Sequence, residues 1–214
     1  MNGNKKLGFL GLITIFTVYS IFYGAFSGSG FSQAEIHGSK LIDINYFPQK
    51  DTYYCGQASV QMVLYQLGKP VSQYDLANEM NYIDGAGTRN IYMVGPFQKR
   101  GVDIVSVGIF SNENHLRSSV DKGQYSIINI KFDQKSKSFH YVVVTGYNET
   151  GFFLHDPWPE SWGKPEGRQS GHDVYISNEL LGKLWAYRLW WVLTAAATSS
   201  VSHSTTVIVE ANQL

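Results

Sequence analysis

Cysteine is almost absent from this sequence. Among 214 residues only Cys55 carries a thiol, which excludes an intramolecular disulfide framework and a zinc site built from several cysteines. Neither sign of charge is in excess, since 17 Lys and Arg residues balance 17 Asp and Glu residues. No basic excess therefore argues for nucleic acid, and no acidic tail argues for a charged partner. Because hydrophobic residues make up 43% of the chain, the chain can bury the core of one ordinary domain.

A long uncharged run stands near the N-terminus. Lys5 and Lys6 precede residues 7–26, which contain no charged side chain. About 20 such residues after a cationic start are typical of an export signal or a single-pass membrane anchor. Ser32-Gln33-Ala34 offers the small residues that signal peptidase requires, so cleavage after Ala34 and retention as an anchor both stay open. In either case we expect residues 1–34 to direct the following domain out of the cytoplasm.

The remaining patterns predict one α+β domain over residues 35–195, followed by a polar tail over residues 196–214. Helical periodicity dominates the first half of this domain and strand-like alternation the second. The predicted helices begin near Cys55, Ser72, Asn90, Asn112 and Ser177, and the predicted strands cover 41–47, 102–107, 124–132, 140–147 and 152–155, with an edge strand at 206–209. A hairpin turn at 148–151 pairs residues whose numbers sum to about 298.

Cys55 opens the first predicted helix of the domain. At a helix start, unpaired backbone N–H groups and the helix dipole stabilise a thiolate. This is the electrostatic setting that a nucleophilic sulfur needs. The alternative is a buried structural cysteine, which is the commoner role of a single thiol.

A thiol nucleophile also needs a base, a group that orients the base, and donors for the oxyanion. His140 begins the strongest predicted strand, and the predicted hairpin makes it face the region of Pro157 and Asp156, within reach of an imidazole–carboxylate hydrogen bond. His155 and Asp156 point to opposite faces of their strand, so only one of them can share a face with His140. Gln49 stands six residues before Cys55, and its amide can donate to an oxyanion if the intervening loop folds back over the helix start. Taken singly, His140 also suits a strand-end surface position, and Asp156 suits a turn.

We expect no metal or other cofactor. His155, Asp156, His172 and Asp173 offer ligand atoms, but their spacing matches no recognised site. Trp158 and Trp162 follow Asp156 and are candidates to line a substrate cleft.

Together these motifs resemble the papain-like cysteine peptidases that cleave double-glycine leader peptides, the bacteriocin-processing family. The shared features are Gln49, Cys55-Gly56, Leu67-Gly68, the run His-Tyr-Val-Val-Val-Thr-Gly-Tyr at 140–147, and Asp156-Pro157. The resemblance covers about residues 44–192. It implies a papain-like fold, with an N-terminal helical half, a C-terminal antiparallel sheet half and the active site between them.

The same resemblance assigns the roles of the site residues. It implies Cys55 as nucleophile, His140 as general base and then acid, Asp156 as the residue that orients His140, and Gln49 as oxyanion donor. It also implies a peptide or protein substrate and no cofactor.

The sequence departs from the family pattern in two respects. Tyr54 stands where these peptidases usually carry an acidic residue, and the chain has no nucleotide-binding motif of the transporters to which leader-cleaving members are commonly fused. We therefore expect a stand-alone peptidase that is exported or membrane-anchored.

Two other functions remain open. The Cys-Gly-x-Ala-Ser helix start is similar to that of phytochelatin-synthase-type γ-glutamyl transpeptidases, which use the same acyl-enzyme. A non-catalytic peptide-binding module on the same fold is the other alternative. A thiol probe tests the binding module, and product analysis with and without glutathione separates hydrolysis from transpeptidation.

Overall fold

One antiparallel sheet organises the part of the chain that a computed structural model describes, residues 38–198. Its strands are β1 Lys40–Leu41, β2 Asp103–Gly108, β3 Tyr125–Lys131, β4 Phe139–Tyr147, β5 Gly151–Asp156, β6 Gly171–Ser177 and β7 Val192–Ala196. Their spatial order is β2-β7-β3-β4-β5-β6, and the short β1 pairs with the end of β4. The two most apolar strands, β3 and β4, therefore lie in the middle of the sheet.

The helices of the described residues are short and mostly capped. They are α1 Cys55–Gln66, α2 Gln73–Glu79, α3 Gly95–Lys99, α4 Glu113–Asp121 and α5 Asn178–Ala186, with single 3-10 turns at Asn90–Tyr92 and Glu160–Trp162. Ser72, Asn112 and Ser177 each accept a hydrogen bond from the backbone N–H three residues on. These are the side chains expected at helix starts, and they confirm the predicted beginnings of α2, α4 and α5.

The sheet is covered on both faces. Ile127 and Val143 belong to a buried cluster with residues of α1, α2 and α3, whereas Ile128 and Val142 belong to a second cluster with residues of α4 and α5. Successive side chains of a strand point to opposite faces, so β3 and β4 are buried on both sides. This double burial explains why their sequences are almost continuously apolar.

The predicted hairpin is confirmed in register as well as in type. Val143 pairs with His155 and Val144 with Leu154, before a one-residue irregularity that leaves Gly146 opposite Phe153. The predicted strands at 102–107 and 124–132 are likewise present as β2 and β3.

Some predicted elements are wrong in extent. The predicted helix from Asn90 is divided into a 3-10 turn and α3. Pro96 lies in the first turn of α3, where proline is tolerated because a backbone N–H at that position has no partner within the helix. The predicted first strand at 41–47 is reduced to β1, after which the Ile42 N–H still donates to Thr145 O of β4 at 2.7 Å but the strand does not continue.

Two strands were not predicted as strands. β6 covers a segment without a predicted strand, and its buried and more exposed residues alternate only from Asp173 onwards. β7 is likewise absent from the predicted strands, yet it pairs with both β2 and β3. Among residues 38–198, no helix has the length and apolar character needed to cross a membrane. The predictions for residues 1–34 and for the strand at 206–209 lie outside the described residues.

Candidate active site

Cys55 is the first residue of α1 and is partly buried. The preceding residue, Tyr54, makes no side-chain capping bond, and the first turn carries no acidic side chain. The positive end of the helix is thus left to the sulfur. α1 also approaches β4 closely: a Cβ on Gly56 would lie 3.2 Å from Met93 Sδ and 3.3 Å from Tyr141 Cδ2. This close packing places the Cys55 thiol beside the start of β4.

His140 lies between Cys55 and Asp156. Its Nε2 is 2.6 Å from Asp156 Oδ1, and both side chains are buried. His140 also interacts with the Cys55 thiol and lowers its pKa, so the imidazole acts on the sulfur as well as on the carboxylate. Asp156 Oδ1 accepts a further hydrogen bond of 2.9 Å from the backbone N–H of Trp158. The structure therefore brings together the three residues that the sequence predicts as a nucleophile, a base and its orienting group.

The surroundings of Cys55 favour its ionised form. Burial raises the pKa of the Cys55 thiol, but hydrogen bonding to His140, the charge of His140 and backbone hydrogen bonds from Tyr141 and Gly56 together lower that pKa below its ordinary value. Burial lowers the pKa of His140, Cys55 acts to raise it, and the charge of Arg168 lowers it further. The thiol and the imidazole consequently titrate as a coupled pair.

Gln49 is buried beside this site, with 2% of its surface exposed. Its Nε2 donates to the backbone carbonyls of Asp51 and Thr52 at 2.8 and 2.9 Å, and its Oε1 has no hydrogen-bond partner. Its own backbone N–H donates to Pro157 O at 2.8 Å. In this arrangement Gln49 holds the loop that leads into Cys55, and both of its amide hydrogens are used there. Its predicted role as oxyanion donor requires one of them to be shared or released.

Arg168 is a site residue that the sequence analysis missed. Its Nη1 forms an ion pair with Asp156 Oδ2, and both side chains are buried. Nε and Nη2 of the same guanidinium donate to Phe132 O at 3.0 and 2.6 Å. The Phe132 ring in turn meets the His140 ring edge-to-face, with centroids 5.3 Å apart. Arg168 follows Asp156 in an irregular loop with no periodic pattern, so nothing in its local sequence indicates this partner.

A groove of about 1890 Å³ passes over Cys55 and His140. Trp158 lines it as predicted, and Trp162 packs edge-to-face on Trp158 at 5.1 Å. Exposed apolar side chains are spread along the groove walls, namely Ile91, Phe110, Phe139 and Leu189. The backbone N–H of Phe110 donates to Leu189 O at 2.7 Å, which ties two of these wall segments together.

The histidine and aspartate residues considered as metal ligands are divided by the structure. Asp156 contacts His140 and Arg168, as described above, whereas His155, His172 and Asp173 form a separate cluster with ligand atoms within 4.8 Å of one another. The sequence spacing did not indicate this cluster, because its members lie on adjacent strands.

Comparison with known proteins gives one family and a consistent set of folds. Residues 41–177 match the model of the Peptidase_C39 like family, a range that includes Gln49, Cys55, His140, Asp156 and Arg168. No curated protein sequence matches the chain.

Among solved structures, a C39-like peptidase from Bacillus anthracis aligns with a TM-score of 0.60 at 18% identity over 75% of this chain and 99% of its own. The peptidase domain of Streptococcus ComA, a bifunctional ABC transporter of a quorum-sensing pathway, aligns with 0.53 at 21% over 72% and 100%. A double glycine motif protease from an AMS/PCAT transporter, in complex with its leader peptide, aligns with 0.53 at 17% over 72% and 91%. At these identities the likeness is one of fold, and it confirms the predicted α+β papain-like architecture.

Proposed function

Because the chain belongs to the Peptidase_C39 like family, we propose that it is a cysteine peptidase whose nucleophile is Cys55. The observation that carries this proposal is the position of His140, which lies 2.6 Å from Asp156 and interacts with the Cys55 thiol. An inert structural cysteine needs neither a buried imidazole nor a carboxylate behind that imidazole. The lowered pKa of the Cys55 thiol adds support, since the thiolate is the attacking species.

In the proposed reaction Cys55 Sγ attacks the carbonyl carbon of the scissile peptide bond, and its proton goes to His140. The negative charge that develops on the carbonyl oxygen is stabilised by N–H groups at the start of α1 and by the Gln49 amide. His140 then gives its proton to the leaving amine as the C–N bond breaks, which leaves a thioester on Cys55. Water attacks this thioester with its proton passing to His140, and the acid product leaves as the thiol is restored. Asp156 holds the imidazole in the required orientation throughout.

The proposed substrate is a peptide or an extended segment of a protein. The groove of about 1890 Å³ exceeds the roughly 300–1,000 Å³ typical of small-molecule pockets. Its walls carry exposed apolar side chains, and the transporter protease of similar fold binds a leader peptide. An extended chain lying across Cys55 satisfies both the length and the apolar character of this groove.

We also propose that the domain functions outside the cytoplasm, exported or anchored by residues 7–26. Lys5 and Lys6 before this uncharged run support that orientation. The test is a pair of reporters fused after Leu214, one active only in the cytoplasm and one active only outside it. Activity of the cytoplasmic reporter alone would refute the proposed topology.

Incubation of the full-length chain with a diverse peptide mixture, followed by mass spectrometry, tests the activity. We expect new peptide termini that are absent with Cys55→Ala, and a Cys55 that is labelled by a peptidyl thiol probe. The same reaction with glutathione distinguishes hydrolysis from transfer, because a transpeptidase would yield glutathione adducts. A wild-type protein that is folded, gives no cleavage and resists the probe would instead be a binding module.

A further inference from the structure

A second cluster of reactive side chains lies on strands β5 and β6. His155 belongs to β5, and His172 and Asp173 belong to the adjacent β6. The ligand atoms of these three residues all lie within 4.8 Å of one another. None of the three is hydrogen-bonded to Cys55, His140 or Asp156 among the contacts of the described residues. The cluster is therefore a separate group from the proposed catalytic residues.

Two distances within the cluster are close to those between the ligands of a tetrahedral metal site. His155 Nδ1 is 3.3 Å from Asp173 Oδ1, and His172 Nδ1 is 3.2 Å from Asp173 Oδ2. Nitrogen and oxygen ligands that each lie about 2.0–2.2 Å from a zinc ion are separated from one another by roughly 3.3 Å in a tetrahedron. A small rotation of the Asp173 carboxylate would present one oxygen to an ion held by both imidazoles.

Neighbouring groups already orient two of the ligands. His155 Nε2 donates to Ile44 O at 2.7 Å, which leaves Nδ1 as the nitrogen with the free lone pair. Thr145 Oγ1 donates to Asp173 Oδ1 at 2.6 Å. Hydrogen bonds of this kind, from the far side of a histidine or carboxylate ligand, are a regular feature of metal sites. Without an ion, His155 Nδ1 accepts a hydrogen bond of 3.1 Å from the Asp173 backbone, which metal binding would replace.

We propose that His155, His172 and Asp173 bind a divalent transition-metal ion of the zinc type, with water as the fourth ligand. Two imidazoles and one carboxylate suit zinc, whereas magnesium and calcium prefer sites made of oxygen atoms. The His172 side chain is 58% exposed, so an ion can reach the cluster from solvent. The buried His155 would bind this ion from the interior side.

The proposed metal site lies next to Asp156 on β5 but shares no side chain with the proposed catalytic residues. His155 immediately precedes Asp156 in β5. The ring of Tyr46 packs edge-on against His155, and the Tyr46 hydroxyl donates to Asp156 O at 3.1 Å. A bound ion would link β5 to β6 just before the strand reaches Asp156. We therefore expect metal binding to raise the thermal stability of the protein.

Zinc titration of the full-length, tag-free chain tests the proposal, with Cys55→Ala as the background because the thiol itself binds zinc. Calorimetry should show a site that depends on His172, and Co²⁺ should give the visible absorption of tetrahedral coordination. His172→Ala and Asp173→Asn should each weaken this binding at least tenfold and abolish the zinc-dependent rise in Tm. Both variants are suited to folding, since His172 is exposed and asparagine tolerates the positive φ of Asp173.

The matched control is His140→Ala in the same background, which removes the buried histidine that lines the groove. This variant should bind zinc as the background does. Equal zinc affinity in the background, His172→Ala and Asp173→Asn would overturn the proposal, as would loss of binding in His140→Ala alone. Displacement of zinc by a modest excess of Mg²⁺ would also contradict it, because the proposed ligands favour the softer ion.

Discussion

Arg168 pairs with Asp156 on the carboxylate oxygen that His140 leaves free. His140 Nε2 meets Oδ1, and Arg168 Nη1 meets Oδ2. Both oxygens of the carboxylate are thus engaged, which fixes its orientation towards the imidazole. The guanidinium supplies the positive charge that a fully buried carboxylate needs if it is to remain ionised. Arg168 acts on the proposed nucleophile only through Asp156 and His140, so we regard it as a positioning residue.

Loss of this ion pair should destabilise the protein strongly. Arg168→Met would leave the Asp156 charge without its partner, and breaking a buried pair in this way costs about 3–5 kcal/mol. Urea unfolding should show that loss, with a much smaller loss for the double variant Arg168→Met/Asp156→Asn, in which no charge is stranded. If the double variant were as unstable as the sum of the two single ones, the two side chains would contribute independently.

Arg168 should also influence the protonation of His140. Its charge is one of the causes that lower the pKa of His140, so Arg168→Met should raise that pKa, whereas Arg168→Lys should keep most of the effect. The measurement is an NMR titration of the His140 ring in a Cys55→Ser background, which removes the coupled thiol. Arg100→Met is the control, because Arg100 pairs with Glu79. An unchanged His140 titration in Arg168→Met would mean that Arg168 acts on packing alone.

The reactivity of Cys55 should reveal its lowered pKa. An ordinary cysteine titrates near pH 8.5, whereas the net shift here is downward. Alkylation by iodoacetamide should therefore stay fast well below pH 8.5. Burial alone raises this pKa, and His140 is the leading group that opposes burial, so His140→Ala should move the alkylation profile to that of a free thiol or to higher pH. A folded wild type that reacts at pH 6 no faster than an unstructured cysteine peptide would contradict this expectation.

Substitution of Gln49 can separate its two possible contributions. If Gln49 is an oxyanion donor, Gln49→Ala should lower turnover by roughly a hundredfold, about 3 kcal/mol of barrier. If Gln49 instead tethers the loop at 50–54, Gln49→Ala should release the carbonyls of Asp51 and Thr52. The variant would then lose stability, and Cys55 would be alkylated more slowly. We expect Gln49→Ala to lower turnover and to leave the rate of Cys55 alkylation and the stability of the protein nearly unchanged. Full turnover in Gln49→Ala would exclude the oxyanion role, and unchanged stability and alkylation would exclude the tether.

Short-range chemistry in the sequence determined a large part of this protein. Ser72, Asn112 and Ser177 mark helix starts because a capping side chain acts within three residues of itself. The helix start at Cys55 follows instead from the helical periodicity of the apolar residues after it, since Tyr54 makes no capping bond. The hairpin between β4 and β5 also followed from local pattern, because a short turn sets the pairing of the strands beside it. That register brings His140 near the end of β5, where its side chain reaches Asp156.

Only the tertiary structure decided which long-range partners these residues have. Arg168 reaches Asp156 through an irregular loop, and the amide of Gln49 turns to nearby carbonyls. β7 enters the sheet between β2 and β3, and the adjacency of β5 and β6 assembles His155, His172 and Asp173. In each case the partner depends on the path of a loop or on sheet order, and these are set by the burial of the whole core and not by the residues nearby.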